Sequence, residues 1–340
     1  MNLVDTIKRY KAANIPCFIF GAPGVGKSQQ VHQAAEGKRV IDCRLSMLDP
    51  VDLRGLPSIS RNDGGMNVEW ALPSEFIPQD GEGILFFDEL NTAPVSVMNA
   101  ALQIILDRKC GPHKLGDGWY ICAAGNKSSH RAHVQPISAP LRNRFAIVNY
   151  EPDVKSWTTW AFGAGVHDDV VGFLNFRPAL LSTDSKDEYE NFASPRSWDR
   201  VSTLIKSGTD DMEFVAGLIG KGAAAEFDGY RRELKDMPDI DALLAGKERF
   251  THNPKRVSIS YAVAMGLSSR LLRGDTKFIN GNADKACEIA SVMPPEITCL
   301  FIVRSMMNNN EVRKAILSAK SAHKWVTEHS ALIDRYGIRK

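Results

Sequence analysis

The most constraining stretch of this 340-residue chain is Gly21-Ala22-Pro23-Gly24-Val25-Gly26-Lys27-Ser28. It fits the pattern GxxxxGK[ST] and has the flanks that pattern needs. The apolar run 15–20 before it reads as a buried strand, and residues 28–36 after it hold no helix breaker until Gly37. In such a strand–loop–helix, glycines let backbone N–H groups approach phosphate oxygens, and the helix N-terminus adds positive partial charge. Lys27 is expected to reach the β- and γ-phosphates and Ser28 to ligate Mg²⁺. The whole stretch from Gly21 to Ser28 is therefore predicted to cradle a nucleoside triphosphate, with ATP the expected one.

A loop of this kind hangs from a sheet. Further short apolar runs at 40–44, 83–87, 119–124 and 145–149 are separated by loops and helix-like stretches, with helices expected over 1–14, 28–36 and 95–106. The pattern predicts an α/β core, a five-stranded parallel sheet with helices on both faces. Residues 45–80 are rich in Pro, Gly and Asp, and the turn Asn62-Asp63-Gly64-Gly65 predicts a hairpin there. Residues 111–118 read as a turn-rich loop. After Tyr150 strand-like runs thin out and helical periodicity takes over, for example in 201–205, 214–227, 258–272 and 296–306. We expect a nucleotide-binding α/β core over 1–160 and an all-helical C-terminal domain over 161–340.

The run Ile84-Leu85-Phe86-Phe87-Asp88-Glu89 ends a buried strand on two carboxylates. Alone, it reads equally well as a strand with a solvated acidic end. Behind a phosphate loop in the same sheet, Asp88 becomes a Mg²⁺ ligand, direct or through water, and Glu89 the general base for an attacking water. Asn126 closes Ala123-Ala124-Gly125-Asn126. It could bond the γ-phosphate or the water, or simply make a turn, and spacing leaves both open. Arg142 and Arg144 of Leu141-Arg142-Asn143-Arg144-Phe145 precede the last strand, near a sheet edge, where solvated charges are ordinary. Ser194-Pro195-Arg196 heads a helix, with proline in its first turn.

Composition narrows the classes. A net charge of +2 supplies no overall basic field for nucleic acid. The six cysteines form no CxxC or CxxH pair, which excludes the usual zinc and redox motifs and suits reduced thiols in a cytoplasmic protein. No leader-like N-terminus is visible, and no apolar run approaches the roughly 20 residues of a membrane span.

Taken together, the segments FIFGAPGVGKS at 18–28, ILFFDELN at 84–91, AAGN at 123–126, LRNRF at 141–145 and SPR at 194–196 resemble the AAA+ superfamily. Within it they look like the MoxR family, which includes CbbQ-type and RavA-type proteins. Asp49-Pro50-Val51-Asp52-Leu53-Arg54-Gly55 and the Pro94 helix with Asn99, Ala100 and Leu102 are similar too. The resemblance implies that Asn126 is sensor 1 and that Arg144 is an arginine finger reaching a neighbouring subunit's nucleotide, with Arg142 as runner-up. It implies that Arg196 is sensor 2, contacting the nucleotide from a helical lid. The 55–72 hairpin then resembles the helix-2 insert and 111–118 the pre-sensor-1 hairpin, which face the client in relatives. A finger acting in trans needs a head-to-tail ring, because the contact is heterologous, and a hexamer is the family expectation.

The resemblance implies an ATPase that remodels or activates a partner protein, often one with a von Willebrand A-type domain. The competing reading is a nucleic-acid motor or restriction-type NTPase, with Lys109, Lys114, Arg131, His133, Lys255 and Arg256 as contacts. Near-zero net charge and the lack of interleaved aromatics argue against it. A nucleotide-gated platform that hydrolyses little is the third reading, and the intact Glu89 argues against that one. The segment 323–340 has no assigned role.

Overall fold

The computed structural model describes residues 2–329 except 63–64, 72–75, 111–112, 127–133, 185–188, 210 and 308. Arg131, His133, the Asp63-Gly64 turn, the start of the 111–118 loop and residues 330–340 thus lie outside the described residues. The chain divides into two compact units, Met1–Glu151 and Pro152–Lys340.

The first unit runs α1 (Leu3–Ala12), β1 (Cys17–Phe20), α2 (Lys27–Ala34), β2 (Arg39–Arg44), α3 (Pro50–Arg54), β3 (Leu56–Asn62) and β4 (Gly65–Ala71). It continues β5 (Gly83–Asp88), α4 (Val95–Asp107), β6 (Lys109–Cys110), β7 (His113–Lys114), β8 (Trp119–Gly125), α5 (Ala139–Arg144) and β9 (Ala146–Asn149). Five strands form one all-parallel sheet in the order β2-β5-β8-β1-β9. This is the α/β fold the sequence predicts.

The central strands are apolar throughout because both faces are covered. Leu85 and Phe87 of β5 enter a core with Leu53 of α3 and Val97, Ala101 and Ile104 of α4. Ile84 and Phe86, on the opposite face, pack with Leu3 and Ile7 of α1 and Val31 and Ala34 of α2. All four β5 side chains are fully buried, and each contributes roughly 1.5–3 kcal/mol by leaving water.

Strand order reverses at β1, which is flanked by β8 on one side and β9 on the other. In open parallel sheets the crevice for a ligand opens at the carboxyl edge beside such a reversal. The phosphate-loop pattern follows β1 directly. Away from the sheet, β3 and β4 form the expected antiparallel hairpin, with Ile59 opposite Val68 and both side chains exposed. The turn-rich loop carries β7, which pairs with β6 just ahead of the loop.

The second unit comprises α6 (Val154–Ala164), α7 (Asp168–Phe176), α8 (Pro195–Lys206), α9 (Met212–Ile219), α10 (Lys221–Glu233) and α11 (Ile240–Leu244). It ends with α12 (Val257–Leu272), α13 (Thr276–Ser291), α14 (Pro295–Met307), α15 (Asn310–Ser318) and α16 (Lys320–Glu328). Among its described residues it is helical with no strand. Phe173 anchors the core, with ring centroids 5.5 Å from Trp198 and 5.1 Å from Phe227. The apolar periodicity over 214–227 reads as one helix, but the structure breaks it. Gly220 takes φ 82° and ψ 156°, ending α9 and restarting the chain as α10. Burial of one face on each side of the break keeps the apolar pattern running across it.

Candidate functional site

Three strand ends and one helix start meet at the carboxyl edge. Gly26 caps α2 with φ 90°, a left-handed conformation that glycine adopts without steric cost. Gln30 N–H bonds back to Gly26 O at 3.0 Å, so the amides at the head of α2 precede the intrahelical ladder, as at any helix start. Lys27 is buried, and its ammonium donates to Gly21 O at 2.9 Å, Ala22 O at 3.0 Å and Asn126 Oδ1 at 3.0 Å. The loop therefore curls around its own lysine, while the end of β8 supplies a side-chain acceptor. Pro23, Gly24 and Val25 complete the curl, with Gly24 at φ 75° and Val25 buried beneath it.

Beside Lys27, the Ser28 hydroxyl donates to Asp88 Oδ2 at 2.8 Å. These two oxygens are hard donors in direct contact, which fits an ion that takes oxygen ligands and shares the rest of its shell with phosphates and water. Among the described residues no cluster of three or more His, Cys, Asp or Glu side chains could hold a metal alone. The donor set at Ser28 and Asp88 thus suits Mg²⁺ carried in with a nucleotide.

Glu89 follows Asp88 in a left-handed conformation, φ 58° and ψ 31°, which is uncommon for a non-glycine residue. The turn is pinned on several sides. Its N–H donates to Asp88 Oδ1 at 2.9 Å, and its carbonyl accepts from Thr92 N–H at 3.0 Å and Thr92 Oγ1 at 2.9 Å. Its carboxylate accepts from the Ser46 hydroxyl, just past β2. The kink turns Glu89 off the strand axis that aims Asp88.

Asp42 of β2 belongs to the same electrostatic neighbourhood. Its side chain is exposed on β2, yet the partial loss of water around it raises its carboxyl above the ordinary range, and the negative charge of Asp88 raises it further. Arg44 and His32 pull the other way.

Of the residues singled out from sequence, Lys27, Ser28, Asp88 and Asn126 come together by direct hydrogen bonds, and Glu89 stands one residue away. Arg142 and Arg144 do not join them. Both are exposed in the last turn of α5, and neither has an ion-pair partner among the described residues. Two positions apart on a helix, they project from different sides of it. Arg196 is exposed in the first turn of α8, behind a capping box formed by Ser194 and Ser197. It belongs to the second unit.

Sequence reasoning missed two contributors. Ser46 carries no motif. Asn91 lies inside the string Asp-Glu-Leu-Asn, but nothing in its spacing shows that its amide meets Asn126, 35 residues on. A cleft of about 340 Å³ is lined by Leu3, Val148, Asn149, Tyr150 and Glu151. The Tyr150 carbonyl lies 3.0 Å from where a Cβ on Gly21 would stand, which ties the cleft to the loop.

No family model matches the chain, and no curated protein matches it. Solved structures do align with it. A Cytophaga hutchinsonii protein described as an ATPase does so at 11% identity and TM-score 0.32, over 93% of this chain and 80% of that one. RuvB of Thermotoga maritima aligns at 14% identity and TM-score 0.39, over 72% of this chain and 79% of its own. NtrX of Brucella abortus, in complex with ADP, aligns at 15% identity and TM-score 0.40, over 99% of this chain and 68% of its own.

Proposed function

We propose that this chain is a ring-forming, MoxR-like AAA+ ATPase that couples ATP hydrolysis to remodelling or activation of a partner protein. The observation that carries this reading is the junction of Lys27 with Asn126 and of Ser28 with Asp88, at 3.0 and 2.8 Å. It gathers a cation, two metal-ligand oxygens and an amide at the carboxyl edge of one parallel sheet.

The chemistry follows from phosphoryl transfer being mostly positioning and charge stabilisation. Backbone amides from Gly24 to Ser28 receive the phosphates, and Lys27 exchanges its carbonyl partners for phosphate oxygens. Ser28 and Asp88 hold Mg²⁺, which neutralises phosphate charge when bound. Glu89 takes the proton of the attacking water, and its release from Ser46 frees the carboxylate for that task. Asn126 bonds the γ-phosphate or the water. The cleft at Leu3 and Val148 receives the nucleoside. Arg144 of a neighbouring subunit completes the site, with Arg142 as the second choice, and Arg196 adds a contact from the helical domain 161–340. The exposed face of the β3–β4 hairpin, with Ile59 and Val68, meets the client, for which a von Willebrand A-type domain is the expected partner. No helix among the described residues is long and apolar enough to cross a membrane.

Of the residues proposed as nucleic-acid contacts, Arg131 and His133 lie outside the described residues. Lys114 is paired with Asp117 and Arg256 with Asp236. The test is phosphate release by the purified chain with ATP and Mg²⁺, with Glu89→Gln beside it. The variant should bind nucleotide within about threefold of wild type and lose roughly 100-fold or more in turnover. It should also trap the client in a pull-down. Absent wild-type turnover ends the ATPase reading, and salt-sensitive stimulation by DNA would favour the motor instead.

A further inference from the structure

We infer that Asn91 is a positioning residue of this site, whose carboxamide fixes Asn126 relative to the Asp88-Glu89 acid pair. The inference rests on the ATPase reading above and adds a residue to it. The β5–β8 ladder ends at Phe87 opposite Ala123, so neither Asn126 nor the acid pair is held to the other by strand pairing. Asn91 replaces the missing rung. Its Nδ2 donates to Asn126 O at 2.7 Å, and its Oδ1 accepts from Asn126 N–H at 3.0 Å. A side-chain amide here does the work of a peptide group, satisfying both backbone polar groups of Asn126 at once.

Three further observations point the same way. Asn91 is 3% exposed, and a buried carboxamide is retained at low cost only when its donors and acceptors are met. Its backbone carbonyl accepts from Gln135 N–H at 2.7 Å, so one residue ties down both Asn126 and the chain at 135, three residues short of the Ser138 cap of α5. Gly125 makes room for the amide: a Cβ there would stand 2.2 Å from Asn91 Oδ1. With its backbone clamped, Asn126 presents Oδ1 to Lys27 at 3.0 Å. Asn91 touches no reacting atom. It acts by setting where Asn126 stands.

A double-mutant cycle tests this, since residues that act as one unit do not show additive losses. Turnover and nucleotide affinity are measured for wild type, Asn91→Leu, Asn126→Ala and the double variant, together with melting temperatures. The expected result is a kcat loss of about 100-fold for Asn91→Leu, affinity within threefold, and a double variant no slower than Asn126→Ala. If Asn91→Leu does not fold, the isosteric Asn91→Asp replaces it. Its second oxygen would face the Asn126 carbonyl, and the same loss of kcat is expected. Unchanged turnover, or losses that multiply in the double variant, overturns the positioning role while leaving the ATPase reading intact. A wild-type chain without turnover overturns both.

Discussion

Lys27 donates to the side-chain oxygen of Asn126 across 3.0 Å, although the two residues are 99 positions apart in the chain. The bond joins the head of α2 to the end of β8. β1 and β8 are neighbours in register, with Phe20 opposite Gly125. The 21–28 loop and the asparagine therefore leave adjacent strands at the same level, and a lysine side chain is long enough to close the gap.

Replacing Lys27 with alanine should weaken ATP binding roughly 10- to 100-fold, the worth of one hydrogen bond to a charged group. Titration with a fluorescent ATP analogue measures it. The fold should survive the loss of about 1–3 kcal/mol that leaving the buried Gly21 carbonyl without this donor costs. Affinity equal to wild type would remove Lys27 from the site.

Arg144→Ala should retain nucleotide affinity and lose about 10³-fold in turnover, as expected for a finger acting on the transferred phosphoryl group. A mixing experiment separates trans from cis action. Subunits carrying Arg144→Ala should recover activity when combined with Glu89→Gln subunits, since each supplies what the other lacks. No recovery in mixed rings, with the parent variants inactive, would place the finger elsewhere, and Arg142→Ala would then be examined the same way.

Gly125→Ala should lower stability by about 1–3 kcal/mol through overpacking. The added Cβ would meet Asn91 Oδ1 at 2.2 Å and the Phe18 ring at 2.8 Å. Thermal and urea unfolding measure the loss. An unchanged melting temperature would mean that this corner yields more easily than its contacts imply.

Asp42→Asn should stabilise the protein at neutral pH. Partial desolvation and the charge of Asp88 hold the folded Asp42 carboxyl above its unfolded value, by an amount that solvent around this exposed side chain keeps small. The folded state therefore binds this proton more tightly, and ionising the group costs stability that returns as pH falls through the folded pKa. The gain from asparagine should thus be largest above that pKa and shrink in acid. Melting curves over a pH series decide it. A gain that grows in acid would reverse the argument.

Much of the fold was legible because it rests on local patterns. The apolar runs marked all five strands of the sheet to within about two residues at each end, and the Asn62–Gly65 turn marked the hairpin. Asp88 was legible as an acid at a strand end. The partners of these residues were not. Ser46 is one hydroxyl between Leu45 and Met47, and Asn91 resembles any asparagine in a turn. Gly220 lies in an apolar run that looks continuous because both of its flanking helices bury a face. Only their neighbours in space distinguish them.

By itself the sequence determined the phosphate-loop pattern, since glycine spacing, lysine and serine are properties of eight consecutive residues that any strand–helix junction can read. It also determined that a covered parallel sheet stands behind the loop, because only such a sheet buries runs like Gly83–Asp88 on both faces. The tertiary structure decided which strands are neighbours. The order β2-β5-β8-β1-β9 brings Asp88 to Ser28 and Asn126 to Lys27, pairings between distant positions that no local periodicity encodes. It also decided that Asn91 closes the gap where the β5–β8 ladder ends, because a buried peptide group that loses its strand partner must find another donor and acceptor.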